Sequence, residues 1–136
     1  MKKLILIAAV ILIAGSTSCQ TLPKGTCFGF HVMTINLDPN VTMNQFLEFY
    51  KNKVVPEYEK NFQANCYLLK SIRGESVNCY SVMISWKSVA DRDKFFKEDG
   101  SLNEVGQAAS DKMKPVMDEL AKLGEATSKY TDWVIQ

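Results

Sequence analysis

The spacing of hydrophobic residues changes along the chain, and each spacing predicts a different element of secondary structure. Residues 28–37 (FGFHVMTINL) are rich in aromatic and β-branched side chains, which predicts a strand. Thr42 and Gln45 then have the spacing of a helix-capping box, and apolar residues follow at helical intervals. Pro56 lies inside this helical pattern, and we expect it to kink or split the helix.

The remaining elements follow from the same kind of pattern. They are strands at 66–72 and 79–86, a short helix from Ser88, a helix that runs to about Leu123, and a strand at 131–136. Residues 101–104 form a second predicted capping box, and Gly124 is in position to cap the long helix. The resulting order, β-α-β-β-α-β, predicts an α+β, ferredoxin-like fold: a four-stranded antiparallel sheet with both helices on one face.

The first predicted strand is apolar on both of its faces. Phe28, Phe30 and Val32 alternate with a second apolar set on the other side, and Met83 extends one of these faces onto the third strand. Since the helices cover only one face of the sheet, the other face needs a cover. The sheet of a second, identical subunit is the simplest one, so the pattern predicts a homodimer packed sheet to sheet as a dimeric barrel.

The first eighteen residues have the features of a secretory signal peptide. Residues 1–3 are positively charged, residues 4–14 are an unbroken apolar run, and residues 15–18 are small. A transmembrane helix needs about 20 apolar residues, so this run is too short to span a membrane. The sequence therefore predicts a signal peptide at 1–18 and an exported protein.

Cys19 follows the leader directly, and three fates are open to it. It becomes an acylated first residue, stays unmodified in the mature chain, or is removed with the leader. Residues 16–19 (STSC) resemble a bacterial lipobox, although Ser16 stands where leucine is typical. This resemblance implies a lipid anchor at Cys19 and a place in the cell envelope, membrane-anchored or periplasmic. Residues 19–26 are then interpreted as a tether and residues 27–136 as the domain.

Charge and cysteine content narrow the classes of function. The leader contains two of the sixteen basic residues, so the mature chain carries fourteen basic and fifteen acidic residues, a net charge of −1 with histidine neutral. This balance argues against a nucleic-acid partner. Cys27, Cys66 and Cys79 allow at most one disulfide if Cys19 is acylated, and two if it is not. A single histidine and no clustered carboxylates predict no metal site.

Three short segments carry a resemblance to a known superfamily: TINLDPN at 34–40, VVPEYEK at 54–60 and ISWKS at 84–88. With the order of elements, they make residues 27–136 similar to the dimeric α/β-barrel superfamily, which includes antibiotic-biosynthesis-monooxygenase-like and NIPSNAP-like proteins. The chain also resembles exported bacterial proteins with no assigned activity that end in strands like YTDWVIQ at 130–136. The superfamily includes cofactor-free monooxygenases, haem-degrading enzymes and proteins that only bind small ligands.

The resemblance to the haem-degrading branch stops at one residue. Asn36 matches that branch's strand asparagine, but residues 89–123 contain neither the tryptophan nor the haem-ligating histidine that the branch needs. The expectation is therefore a protein without a cofactor. His31, the only histidine, is the other candidate for catalysis, as a base with a reference pKa near 6.5. The competing interpretation is a strand histidine with a structural hydrogen bond.

Two interpretations are also open for a set of aromatic residues: Tyr50, Tyr58, Tyr80 and Trp86. They would suit a pocket for a small apolar ligand, and they would equally fill a core. Two functional hypotheses follow. The first is an exported, lipid-anchored homodimer that binds a small apolar ligand or acts as an envelope accessory module. The alternative is a cofactor-independent, monooxygenase-like enzyme acting on an aromatic or quinone-like substrate near His31 and Asn36.

Overall fold

The computed structural model describes residues 22–136, so the predicted signal peptide and Cys19 lie outside the described residues. The strands are β1 Cys27–Leu37, β2 Asn65–Lys70, β3 Tyr80–Trp86 and β4 Gly124–Val134, and the helices are α1 Met43–Phe49, α2 Val55–Phe62, α3 Val89–Arg92 and α4 Glu104–Ala121. The strands form one antiparallel sheet in the order β2-β3-β1-β4. This confirms the α+β, ferredoxin-like fold, with the helices on one face of the sheet.

The first helical region is interrupted close to Pro56, where the sequence predicts a kink or a break. Thr42 and Gln45 form the predicted capping box, and the Thr42 N–H donates to Gln45 Oε1 at 2.8 Å. Between α1 and α2, residues Tyr50–Val54 form a π-helical segment, which ends two residues before Pro56 in the first turn of α2. Because proline has no N–H and its ring crowds the preceding turn, widening that turn lets the chain continue without a full break.

Both predicted boundaries of α4 are wrong. Asn103 caps its N-terminus, accepting from the Gly106 N–H at 2.9 Å, whereas Ser101 lies outside the helix and its hydroxyl donates to Asp99 at 2.6 Å. At the other end Lys122 is the C-cap, and Gly124 is the first residue of β4. The last strand therefore begins at Gly124 rather than at residue 131.

The register of the strands decides which side chains face the helices. His31 of β1 lies opposite Val82 in β3 and Tyr130 in β4, so these three residues share one face. The core on this face consists of two clusters. One lies among the helices around Phe46, which has no exposed surface, and the other lies over the sheet around Val82 and Trp86.

The opposite side of the sheet is called here the open sheet face, and its apolar residues are Phe28, Phe30, Val32, Tyr67, Leu69, Met83 and Trp133. Within residues 22–136, no helix covers it. Val32, Tyr67 and Trp133 are 43%, 47% and 61% exposed. Phe28 on the same face is only 8% exposed, so the second apolar face that the pattern of β1 predicted is present and partly exposed.

Two further observations concern the predicted tether and the cysteines. Gly25 donates its N–H to the Ile135 carbonyl at 2.9 Å, so the end of the segment 19–26 pairs with the chain's C-terminal residues. No disulfide joins Cys27, Cys66 and Cys79 in the described part of the chain.

None of the helices from residue 22 onward combines the length and the apolar character that crossing a membrane requires.

Candidate functional site

A cavity of about 710 Å³ lies between the helix-bearing face of the sheet and the helices. It exists because the first three β4 residues on this face are small: Gly124, Ala126 and Ser128 leave space that larger side chains would fill. Ala126 and Ser128 are exposed, although they lie on the side of the sheet that carries the helices. The cavity therefore opens to solvent along the edge strand β4.

Aromatic rings form the inner wall of the cavity and hold one another in place. Phe62 stacks on Tyr58, with ring centroids 4.4 Å apart, and on Phe96 at 5.8 Å. Trp86 meets Phe96 edge to face at 5.9 Å, and its indole N–H donates to the Phe62 carbonyl at 3.3 Å. Because the indole N–H is satisfied by the backbone, Trp86 presents an apolar surface to the cavity.

Tyr50, Tyr58 and Cys66 line one side of the cavity and are held in their neutral forms. Burial raises the pKa of both phenols, and the neighbouring Cys66 thiol adds to this effect. Burial also raises the pKa of Cys66 to about 12, with a smaller contribution from the Glu59 carboxylate. At neutral pH this side of the cavity therefore contains neither a phenolate nor a reactive thiolate.

The polar end of the cavity is centred on His31. Its ring stacks on Tyr130 with centroids 5.2 Å apart, and its Nδ1 lies 3.3 Å from the Ser128 hydroxyl. Burial lowers the pKa of His31, and the nearby Asp132 carboxylate partly opposes that shift. The imidazole is therefore neutral at pH 7, with one ring nitrogen carrying a hydrogen and the other free to accept.

An ion pair between α3 and β4 completes the polar end. Arg92 Nη1 lies 2.8 Å from Asp132 Oδ2, and the two side chains are only 15% and 23% exposed. Arg92 Nε also lies 2.9 Å from Asp93 Oδ1, but its N–H is misaligned and has no hydrogen-bond partner among the described residues. Inside the cavity the Arg92 and Asp132 charges balance, so this end is polar without a large net charge.

The structure places the residues singled out from the sequence in three different positions. His31, Tyr50, Tyr58 and Trp86 line the cavity together. Tyr80 lies on the same side of the sheet but outside the cavity, and the Lys70 ammonium is 5.9 Å from its ring. Asn36 is exposed on the opposite side of β1, at the register position of Glu125. Within one chain, Asn36 therefore does not share a site with His31.

Several residues of the site were missed in the sequence, among them Arg92, Phe96, Tyr130 and Asp132. The sequence contains a signal for two of them, Tyr130 and Asp132, because both lie on the last strand. In a ferredoxin-like sheet the first and last strands are neighbours, so alternate residues of a longer β4 would face the same side as His31. Because the strand was predicted to begin at residue 131, Tyr130 was left out. No group of three or more metal-ligating side chains occurs within residues 22–136.

Comparison with known proteins identifies the fold and no activity. No protein-family model matches the chain, and no curated protein matches it. The chain is similar to the crystal structure of a NIPSNAP family protein from Agrobacterium tumefaciens strain C58, with a TM-score of 0.54 and 14% sequence identity. The match covers 80% of this chain and 91% of that protein. At this identity, the similarity supports a shared ferredoxin-like α/β fold, and the function has to be argued from the site.

Proposed function

We propose that this protein binds a small, mainly apolar molecule in the cavity between its sheet and its helices. The main support for this proposal is the cavity itself. Its volume of about 710 Å³ falls within the range of small-molecule sites, roughly 300–1,000 Å³. Its wall is mainly aromatic and aliphatic, and His31, Arg92 and Asp132 supply polar atoms at one end. This combination suits a ligand with an apolar body and a single polar group.

The two tryptophans give a direct test, because they lie on opposite sides of the sheet. Trp86 lines the cavity, whereas Trp133 lies on the open sheet face. In a Trp133→Phe variant, bromobenzene should quench Trp86 fluorescence saturably, since heavy-atom quenching requires contact. In the matched Trp86→Phe variant, Trp133 should show only linear, collisional quenching.

A variant that blocks the cavity distinguishes binding inside it from unspecific binding elsewhere on the protein. Ala126→Phe places a ring at the mouth of the cavity and should abolish the saturable quenching of Trp86. Lys114→Phe, at an exposed position of α4, adds the same ring elsewhere and should leave the quenching unchanged. If Trp86 is quenched no differently from Trp133, the proposed ligand site is wrong.

A second candidate function is a cofactor-independent, monooxygenase-like enzyme, and the position of His31 favours it. A neutral imidazole beside an apolar cavity is placed to accept a proton from an aromatic substrate. The test supplies 1-naphthol and isotopically labelled dioxygen, and measures label in the product by mass spectrometry. His31→Ala should remove the incorporation. If the wild-type protein incorporates no label, or the variant incorporates as much, this candidate is excluded for that substrate.

The place of the protein in the cell is proposed from the leader. We infer export, acylation of Cys19 and attachment to the cell envelope, from the charged, apolar and small-residue segments and the STSC stretch. The mass of the protein extracted from host membranes should equal residues 19–136 plus acyl chains. Cys19→Ala should release the protein from the membrane fraction. An unacylated mature chain in the wild type would contradict the lipid anchor.

We also propose that the open sheet face packs against the same face of a second copy. Met83 pairs with Phe30 and with Tyr67 across the sheet, which makes an apolar row at its centre. A net charge of −1 on the mature chain gives two copies little electrostatic repulsion. An isologous dimer would bury this row against its own symmetry mate.

A further inference from the structure

The hydroxyl groups of Tyr50 and Tyr58 have no hydrogen-bond partner among the described residues. Burial, together with electrostatic neighbours and without any hydrogen bond, accounts for the raised pKa of each phenol. Neither oxygen belongs to the fully buried atoms that lack a partner, so both keep accessible surface. Both tyrosines line the cavity, as do Cys66 and Asp132, two of the groups that raise the pKa of Tyr58. Each hydroxyl is therefore an unused donor at the cavity wall.

A π-helical turn brings the two tyrosines to one face of the helical region. In a regular α-helix, the step from residue 50 to residue 58 rotates the chain by about 800°, which places the second side chain about 80° away from the first. Here Tyr50–Val54 is π-helical, and the Val55 N–H donates to the Tyr50 carbonyl. This hydrogen bond spans one residue more than that of an α-helix, so the turn absorbs one extra residue. The rotation is then about 700°, and the two side chains lie within about 20° of each other.

Stacking against the core fixes the direction of both rings. Tyr58 lies against Phe62 with ring centroids 4.4 Å apart, and Tyr50 lies against Phe46 at 6.2 Å. Phe46 and Phe62 are themselves buried, so the rings that support the tyrosines are held by packing. A ligand in the cavity therefore meets two donors whose positions are set before it binds, and little conformational freedom is lost on binding.

The chemistry of the two phenols selects the group that they bind. A neutral phenol is a better donor than acceptor, because its oxygen lone pairs are delocalised into the ring. Burial raises the pKa of Tyr58, and neighbours that include Cys66 and Asp132 raise it further, so this part of the cavity disfavours negative charge. A carboxylate is therefore a poor ligand here, and an ammonium cannot accept a hydrogen bond. An uncharged carbonyl oxygen has two lone pairs that accept.

We propose that the hydroxyls of Tyr50 and Tyr58 donate to the carbonyl group of an uncharged, ring-bearing ligand. This inference rests on the proposed ligand-binding function and narrows it from apolar molecules in general to aromatic ketones and related carbonyl compounds. Trp86 and Phe96, which line the same cavity, supply the apolar surface for the ring of the ligand.

Isothermal titration calorimetry with two matched probes tests the donor pair. The probes are 1-tetralone and 1-methylenetetralin, which share one ring system and differ only in a C=O or a C=CH₂ group. Tyr50→Phe and Tyr58→Phe should each weaken the binding of 1-tetralone about fivefold, since a neutral hydrogen bond has roughly that effect. Both variants should bind 1-methylenetetralin as the wild type does. Tyr80→Phe, outside the cavity, is the matched control and should leave the affinity for both probes unchanged.

Two further measurements distinguish direct hydrogen bonding from an indirect structural effect. The infrared carbonyl band of 1-tetralone labelled with carbon-13 should lie at lower frequency when bound to the wild type than when bound to the double variant Tyr50→Phe/Tyr58→Phe, because a hydrogen bond weakens the C=O bond. The urea midpoint of each phenylalanine variant should not fall, because the hydroxyl that is removed has no partner within residues 22–136. An unshifted carbonyl band would overturn the proposal.

The possible failures are distinguishable. If both probes bind but each variant affects them equally, the donor pair is refuted and the apolar cavity stands. If only one variant acts selectively on 1-tetralone, the pair is refuted, because the other phenol takes no part in recognition. If neither probe binds while bromobenzene still quenches Trp86, carbonyl recognition fails and the ligand-binding function stands. If bromobenzene gives no saturable quenching either, both proposals fail.

Discussion

Trp133→Ser gives the sharpest test of the proposed dimer, because Trp133 is the most exposed aromatic residue of the open sheet face. It is 61% exposed, and an aromatic side chain offers roughly 200 Å² of surface, so about 120 Å² is available for burial. At about 25 cal/mol per Å², full burial would contribute about 3 kcal/mol for each copy. A two-fold interface contains the residue twice.

The expected effect is large even when the burial is incomplete. If half of the available surface is buried in each subunit, the variant loses about 3 kcal/mol per dimer, which raises the dissociation constant about 100-fold. Sedimentation velocity over a range of protein concentrations measures this constant directly. The folded subunit should lose little stability, because surface substitutions usually change the free energy of unfolding by less than about 0.5 kcal/mol.

A matched control shows whether the loss of dimerisation is specific to the open sheet face or follows from removing any exposed apolar side chain. Val105 on α4 is 57% exposed, and Val105→Ser should leave the dissociation constant unchanged. Two results would refute the reasoning. One is a wild-type protein that remains monomeric at all concentrations. The other is a dimer that is equally stable in both variants, which would mean that the subunits associate through another surface.

Four further predictions concern the stability of the folded chain. The free energy of unfolding, measured by urea titration, should fall below about pH 6.5, because the lowered pKa of His31 means that the unfolded chain binds the proton more readily. It should fall again above about pH 8.5, because the raised pKa of Cys66 lets the unfolded chain lose its proton first. Phe46→Ala, at a position with no exposed surface, should cost about 3–5 kcal/mol in the same titration. Gly124→Ala should cost at least about 1 kcal/mol, because φ is +148° and the added Cβ would lie 2.5 Å from the Asn36 carbonyl oxygen.

Each of these stability predictions has a result that would contradict it. His31→Phe should flatten the acidic limb near pH 6, and an acidic limb unchanged in that variant would have another cause. Cys66→Ala should make the alkaline limb shallower without removing it, because burial also raises the pKa of Cys27 and of both buried phenols. An alkaline limb as steep in Cys66→Ala as in the wild type would contradict the role of Cys66. A loss below about 1 kcal/mol in Phe46→Ala would mean that the helical cluster collapses around the missing ring. Unchanged stability in Gly124→Ala would show that β4 can begin with a different backbone conformation.

The predicted and observed elements agree where the signal was local. The capping box at Thr42 depends on residues three apart, and the interruption near Pro56 follows from the missing N–H of one residue. The boundaries around α4 failed because they depended on competition between neighbours. Asp99 holds the hydroxyl of Ser101, and Gly124 belongs to the strand that pairs with Leu37.

The candidate site shows the same division between local and long-range information. Alternation along β1 is enough to put His31 and Asn36 on opposite faces of a strand, and the structure has them there. Arg92 could not be assigned from the sequence, because its partner Asp132 lies forty residues further along the chain. Only the folded chain brings this ion pair and His31 to one end of a cavity.

By itself, the sequence determined the order of the elements and the presence of a second apolar face on the sheet. Both follow from the spacing of side chains, which every strand and helix carries locally. The tertiary structure alone decided that Tyr50, Tyr58 and Trp86 pack with the core and also border an open space. The physical reason is the packing of β4 against α4: Gly124, Ala126 and Ser128 are too small to occupy the volume between them, and only the register of the strand shows that they face it.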